Sequence, residues 1–144
     1  MVDVTFPRFQ EVVVPILRDT LGDEAHVSTW VDDIDYREYP IVNVRRLGGY
    51  RSRNRWSGLD MPVIEMTAYH DAGLIEAEEL YNKALEALFD ARDNQTVVEA
   101  GSIPHVREVM GMTQFSSLFQ DSWRVQGLIE LGIRPNRRKL NVIE

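Results

Sequence analysis

The stretch from Pro40 to His70 constrains this chain more than any other. Ile41-Val-Asn-Val-Arg-Arg-Leu47 alternates as a half-buried strand does, and Pro62-Val-Ile-Glu-Met-Thr-Ala-Tyr-His70 reads the same way. Between them lies Gly48-Gly-Tyr-Arg-Ser-Arg-Asn-Arg-Trp-Ser-Gly58, far longer than the roughly two to five residues a simple hairpin needs. Arg51, Arg53 and Arg55 occupy alternate positions in it, so an extended backbone projects all three guanidinium groups to one side. Trp56 sits beside them, and arginine and tryptophan are the residue types that anchor protein interfaces. We read residues 48–60 as an arm that grips a neighbouring protein subunit, with Arg45, Arg46, Arg51, Arg53, Arg55 and Trp56 as the contact residues. The plainer alternative is a solvated loop.

In chain order, a first helix is expected to begin near Thr5 or Phe6, with Pro7 in its first turn, where a missing N–H costs nothing. Phe6, Phe9, Val13, Ile16 and Leu17 form its apolar stripe and Gly22 ends it. Pro15 removes a backbone bond, so a kink or a helix shortened to one side of it is expected; Val12-Val-Val14 also permits a strand. Ala25 to Trp30 is a candidate short strand. In the two central strands Val42 and Val44 share one face with Ile64, Met66 and Ala68, while Asn43, Arg45, Glu65 and Thr67 fall on the other. Asp71 is expected to cap a second helix, whose stripe is Leu74, Ala77, Leu80, Tyr81, Ala84, Leu85, Leu88 and Phe89, ending between Ala91 and Asn94. Ile103–Thr113 and Ser122–Leu131 alternate as two late strands joined by a loop over 114–121. Val106, Met110 and Met112 are expected to share one face, as are Val125, Ile129 and Leu131. The basic run Arg134-Pro-Asn-Arg-Arg-Lys139 opens a tail, 134–144, expected to be poorly ordered alone.

This order implies an α+β fold: a four- to five-stranded, mainly antiparallel sheet, two amphipathic helices packed on one face, and a long arm between two central strands. At 144 residues with no internal repeat or linker, the chain is expected to form a single domain, 1–144.

Charge narrows the partners. The formal net charge is −7, opposite in sign to that of a protein that holds a nucleic-acid backbone. The charges are segregated: Arg37, Arg45, Arg46, Arg51, Arg53 and Arg55 fall within nineteen positions whose one acid is Glu38, next to an acidic loop of Asp32, Asp33, Asp35 and Glu38. Copies of such a chain attract one another, basic arm to acidic loop. The arm's arginines and tryptophan also suit phosphates and bases, but the overall charge and the lack of a recognisable module weigh against nucleic-acid binding. There are no cysteines, which excludes disulfides and thiolate metal sites. The opening Met1-Val-Asp-Val lacks the form of a leader and no apolar run approaches ~20 residues, so a soluble chain without a membrane partner is expected.

A catalytic reading finds little. His26, His70 and His105 are isolated, and the carboxylates of the second helix read as a solvated face. There is no His-Glu-x-x-His, no Gly-x-Ser-x-Gly and no phosphate-binding loop; Gly48-Gly49 lacks the lysine and following helix of one. No catalytic, metal or cofactor-binding residue is assigned, and no cofactor is expected.

The run Tyr39-Pro-Ile-Val-Asn-Val-Arg-Arg-Leu-Gly-Gly49, the arm, Asp60-Met-Pro-Val-Ile-Glu-Met-Thr-Ala-Tyr69 and an alanine- and leucine-rich helix together resemble the tail-terminator proteins of long-tailed phages. The similarity is greatest to those of phages infecting actinobacteria. Leu17-Arg-Asp-Thr-Leu21-Gly and Val125-Gln-Gly-Leu-Ile-Glu fit the same pattern, and Pro15 departs from it. The resemblance implies a structural virion protein without enzymatic activity, assembled in the host cytoplasm and placed at the head–tail junction. Its members form a hexameric ring on the head-proximal end of the tail tube, stop tube polymerisation and dock the head-completion proteins. Implied partners are copies of the chain itself, the tail tube protein and the head-completion or connector proteins, with DNA passing through the lumen without specific binding. The alternatives are another neck component, or a small ligand-binding domain or enzyme.

Overall fold

The computed structural model describes residues 6–29, 38–52, 58–116 and 122–136. Helix α1 spans Phe9–Leu21, and short strand β1, His26–Ser28, follows a single turn of 3-10 helix. The long strands β2, Ile41–Ser52, and β3, Leu59–His70, precede helix α2, Leu74–Asp93. Strands β4, Val97–Val98, β5, Gly101–Phe115, and β6, Trp123–Pro135, complete the order. They form one six-stranded sheet in the order β1-β2-β3-β6-β5-β4. Only the β1–β2 pair is parallel; the others are antiparallel. The fold is of the α+β class expected, but the sheet has six strands rather than four to five, because the two-residue β4, too short to show alternation, joins β1 in framing the four long ones.

The alternation of β2 and β3 places the core. Val42, Val44, Ile64, Met66 and Ala68 are fully buried under the helices, joined by Val125, Ile129, Leu131 and Ile133 of β6. From α2 come Ala77, Tyr81, Ala84 and Leu88. Helix α1 touches β1 and β2 near one sheet edge and β4 and β5 near the other, as well as α2. The sheet is thus curled enough for one helix to reach both of its ends, and sheet and helices share a continuous core. Burying each large aliphatic side chain contributes about 1.5–3 kcal/mol, so this shared core dominates the stability.

Several local expectations are corrected. Helix α1 begins at Phe9 rather than near Phe6, because Arg8 makes the cap: its N–H donates to the Glu11 carboxylate at 2.9 Å and its carbonyl accepts from Glu11 N–H at 2.9 Å. Pro15 does not shorten the helix. It lies on the exposed side, so the carbonyl of Glu11 that it frees also lies on an exposed residue. Helix α2 is capped by Gly73, not Asp71. Glu76 folds its carboxylate over Gly73, into the space a Cβ there would take, and the acid lies at the positive end of the helix. Val106, Met110 and Met112 do not share a face. Register shifts around Met110 set it opposite Leu128, on the helix-free side, while Val106 and Met112 stay with the core. Arg134 and Pro135 belong to β6 rather than to a tail, and Asn136 N–H donates to the Ala100 carbonyl at 3.2 Å. The remainder of the tail lies outside the described residues, as does most of the 114–121 loop.

Candidate functional site

The arm grows out of the sheet. Strands β2 and β3 continue past Leu47 and before Pro62, pairing Gly49 with Pro62, Tyr50 with Met61, Arg51 with Asp60 and Ser52 with Leu59. The arm therefore has a hydrogen-bonded stem, which apolar alternation does not reveal because its residues are mostly polar.

The six residues assigned to the contact have different fates. Arg45 lies on the helix-free face, where Nε and Nη2 donate to the Glu65 carboxylate at 3.1 and 3.2 Å. Its side chain is 61% exposed, so this pair contributes at most about 1 kcal/mol. Arg46 points to the other face. Its Nη1 and Nη2 donate to Asp60 at 2.7 and 3.0 Å, and its Nε donates to the Gly48 carbonyl at 2.8 Å. Arg51 is exposed on the same face as Arg46, with its guanidinium 4.5 Å from the centre of the Phe6 ring. That geometry is a cation–π contact. Phe6 also packs against Gly58, so the segment leading into α1 wedges under the arm stem. Arg53, Arg55 and Trp56 lie outside the described residues.

Asp60 and Phe6 escaped the sequence reading. A single aspartate before a strand carries no periodic signal, and Phe6 read as part of the helix stripe. The helix-free face adds a second group that composition did not single out. Glu130 of β6 accepts from Arg107 Nη2 at 3.2 Å and lies 2.9 Å from His105 Nε2. The Arg107 hydrogen bond first, and that from His105 second, hold its carboxyl below the usual glutamate range. On β2, Tyr50 and Leu47 are exposed, at 58% and 46%. The stem thus offers apolar and cationic groups on both of its sides, the composition of a protein-binding surface.

Little here is arranged for chemistry. His26 pairs with Glu38 at 2.9 Å on the surface, and His70 Nδ1 accepts from Ala72 N–H at 3.0 Å. A cleft of about 520 Å³ is lined by Arg92, Gln95, Val97, Ser102 and Arg134 among others, with no histidine or carboxylate in its wall among the described residues. Among the described residues no three metal-ligating side chains cluster, and no helix is long and apolar enough to cross a membrane.

Comparison with known proteins decides the family. A model of the phage tail termination protein family matches residues 5–140. This chain belongs to that family. The Gene 22 protein of Mycobacterium phage L5 is 54% identical over 135 residues, covering 93% of this chain and 97% of the relative. That of Mycobacterium phage D29 is 54% identical over 132 residues, covering 91% and 95%. A chain in the solved virion of a native gene transfer agent particle superposes with a TM-score of 0.58 at 12% identity, over 87% of this chain and 93% of that one. At that identity the likeness is one of fold. As a tail termination family member, this chain is a structural protein of the phage tail and not an enzyme.

Proposed function

We propose that this family member caps the head-proximal end of the tail tube as a ring, hexameric in the family's pattern. It stops tube polymerisation and presents a surface on which the head-completion or connector proteins dock. The match of the family over nearly the whole chain carries this reading. The arm supports it physically. A heterologous contact, in which one patch of each copy meets a different patch of the next, closes into a ring when the rotation between copies permits. A stem that carries Arg51, with Arg45 and Arg46 at its base, suits such a contact, and the sequence that follows it supplies Arg53, Arg55 and Trp56. A formal charge of −7 per subunit suits a lumen through which DNA passes without sticking.

Adding the purified protein to polymerising tube subunits tests the reading directly. Tubes are expected to stop growing and to carry a ring of stain at one end; continued growth at the same rate contradicts termination. Replacing Arg51, Arg53 and Arg55 together with alanine tests the arm. Tails that no longer join heads are the expected outcome, and normal virion yield removes the arm from the interface.

A further inference from the structure

Arg46 and Asp60 stand on either side of an irregularity in the β2–β3 ladder. Pairing is regular as far as Arg46 opposite Ile64 and resumes at Gly49 opposite Pro62, so β2 uses one more residue than β3 across this interval. Such a bulge bends the strand that carries it. Gly48 and Gly49 take φ values of 122° and 98°, which favour glycine, and a Cβ on Gly49 would run into the Met61 carbonyl. The bulge permits a bend at the root of the arm. By itself it does not fix the angle, since a bulge with two adjacent glycines is a soft joint.

The Arg46 side chain spans that joint. One guanidinium holds the bulge through the Gly48 carbonyl and holds the opposite strand through both oxygens of Asp60. Asp60 is 2% exposed and lies between Arg51 on β2 and Ile133 on β6. A carboxylate buried beside an isoleucine is costly unless a cation reaches it, and the planar fork of arginine matches both oxygens at once. As a stability device this is inefficient, because apolar residues of similar volume often serve as well or better. What a bidentate pair adds is a fixed geometry.

We propose that the Arg46–Asp60 pair is an aiming clamp that sets the angle at which the arm leaves the sheet. Arg46 and Asp60 are positioning residues: the clamp orders the stem, and the stem delivers Arg51 to its partner. The consequence for assembly rests on the docking role proposed for the arm, whereas the effect on the stem does not.

The test exchanges the pair for apolar residues, Arg46→Met with Asp60→Leu, in the full-length chain. Hydrogen exchange is expected to quicken roughly tenfold or more at the stem amides, Gly49–Ser52 and Leu59–Met61, with the central amides of Val44, Ile64 and Met66 unchanged. In phage carrying the double variant, joining of tails to heads is expected to fall at least as far. Unchanged stem exchange overturns the clamp. So does a uniform increase along β2 and β3, which marks a pair that only stabilises the fold. Loosened stem amides with normal virion yield leave the clamp standing and remove the arm's docking role instead. Should the double variant fold poorly, Arg46→Lys serves: its single ammonium keeps the charge but cannot hold Gly48 and both Asp60 oxygens, so the stem loosens while the core stays intact.

Discussion

Tyr81 is the largest side chain fully buried in the core, and its hydroxyl has no hydrogen-bond partner among the described residues. It sits directly over Gly127, where a Cβ would collide with the hydroxyl and come within 2.9 Å of the Met110 carbonyl. Burial first, and the charge of Glu108 second, push the Tyr81 phenol up to about 12. A phenol that keeps its proton more tightly when folded contributes stability below its unfolded pKa near 10, and that contribution is lost as pH rises toward about 12. Tyr81→Phe is therefore expected to change stability at neutral pH by no more than about 1 kcal/mol. It should also flatten the decline in melting temperature between about pH 10 and 12 relative to wild type. Gly127→Ala is expected to cost about 1–3 kcal/mol by overpacking, measured by denaturant unfolding, with part of that loss recovered in combination with Tyr81→Phe. Glu130 works in the opposite direction. Its lowered pKa adds stability above the ordinary glutamate pKa, which is lost as pH falls through the depressed folded value. Arg107→Gln should return the Glu130 titration, followed by NMR, toward the ordinary range.

Among the strands and helices, periodic features were legible and conformational ones were not. Val42, Val44, Ile64, Met66 and Ala68 announce the core face of β2 and β3 because alternation and burial are the same signal. The stripe of α2 is equally plain. The caps were not, since Arg8 and Gly73 are chosen by where the acids Glu11 and Glu76 can fold back, which depends on the loop before each helix. Strand β4 has two residues and is defined only by its partner. Of the candidate site, the basic arm was visible, but Arg46 at its root is bound to a carboxylate, Asp60, that lies fourteen residues away in sequence. Composition cannot tell a guanidinium that faces a partner from one that braces a bulge. The shift at Met110 was hidden for the same reason: one residue of slip exchanges the faces of a strand without altering its composition. Gly49→Ala probes this level. Its positive φ and the Met61 carbonyl leave no place for a methyl group, and the expected cost is about 1–3 kcal/mol with increased protease sensitivity confined to the arm stem.

Among the described residues, a curled core combines with the projecting stem of the arm. A core shared by two helices and four long strands carries the root of the arm, and the heterologous assembly proposed for it needs the same relative angle at every joint. Small errors in that angle would accumulate around the proposed ring, which is what a clamp at the root of the arm would prevent. The segregation of charge suits the same proposed assembly, with a basic stem on a chain of net charge −7. Membership in the tail termination family makes the protein structural, and the proposed ring explains why so small a domain extends so long an arm. Electron microscopy of a lysate from phage lacking this gene tests that account most directly. Headless tails of abnormal and variable length beside filled heads are the predicted result. Tails of normal length that only fail to attach, or intact particles, would contradict termination as the function.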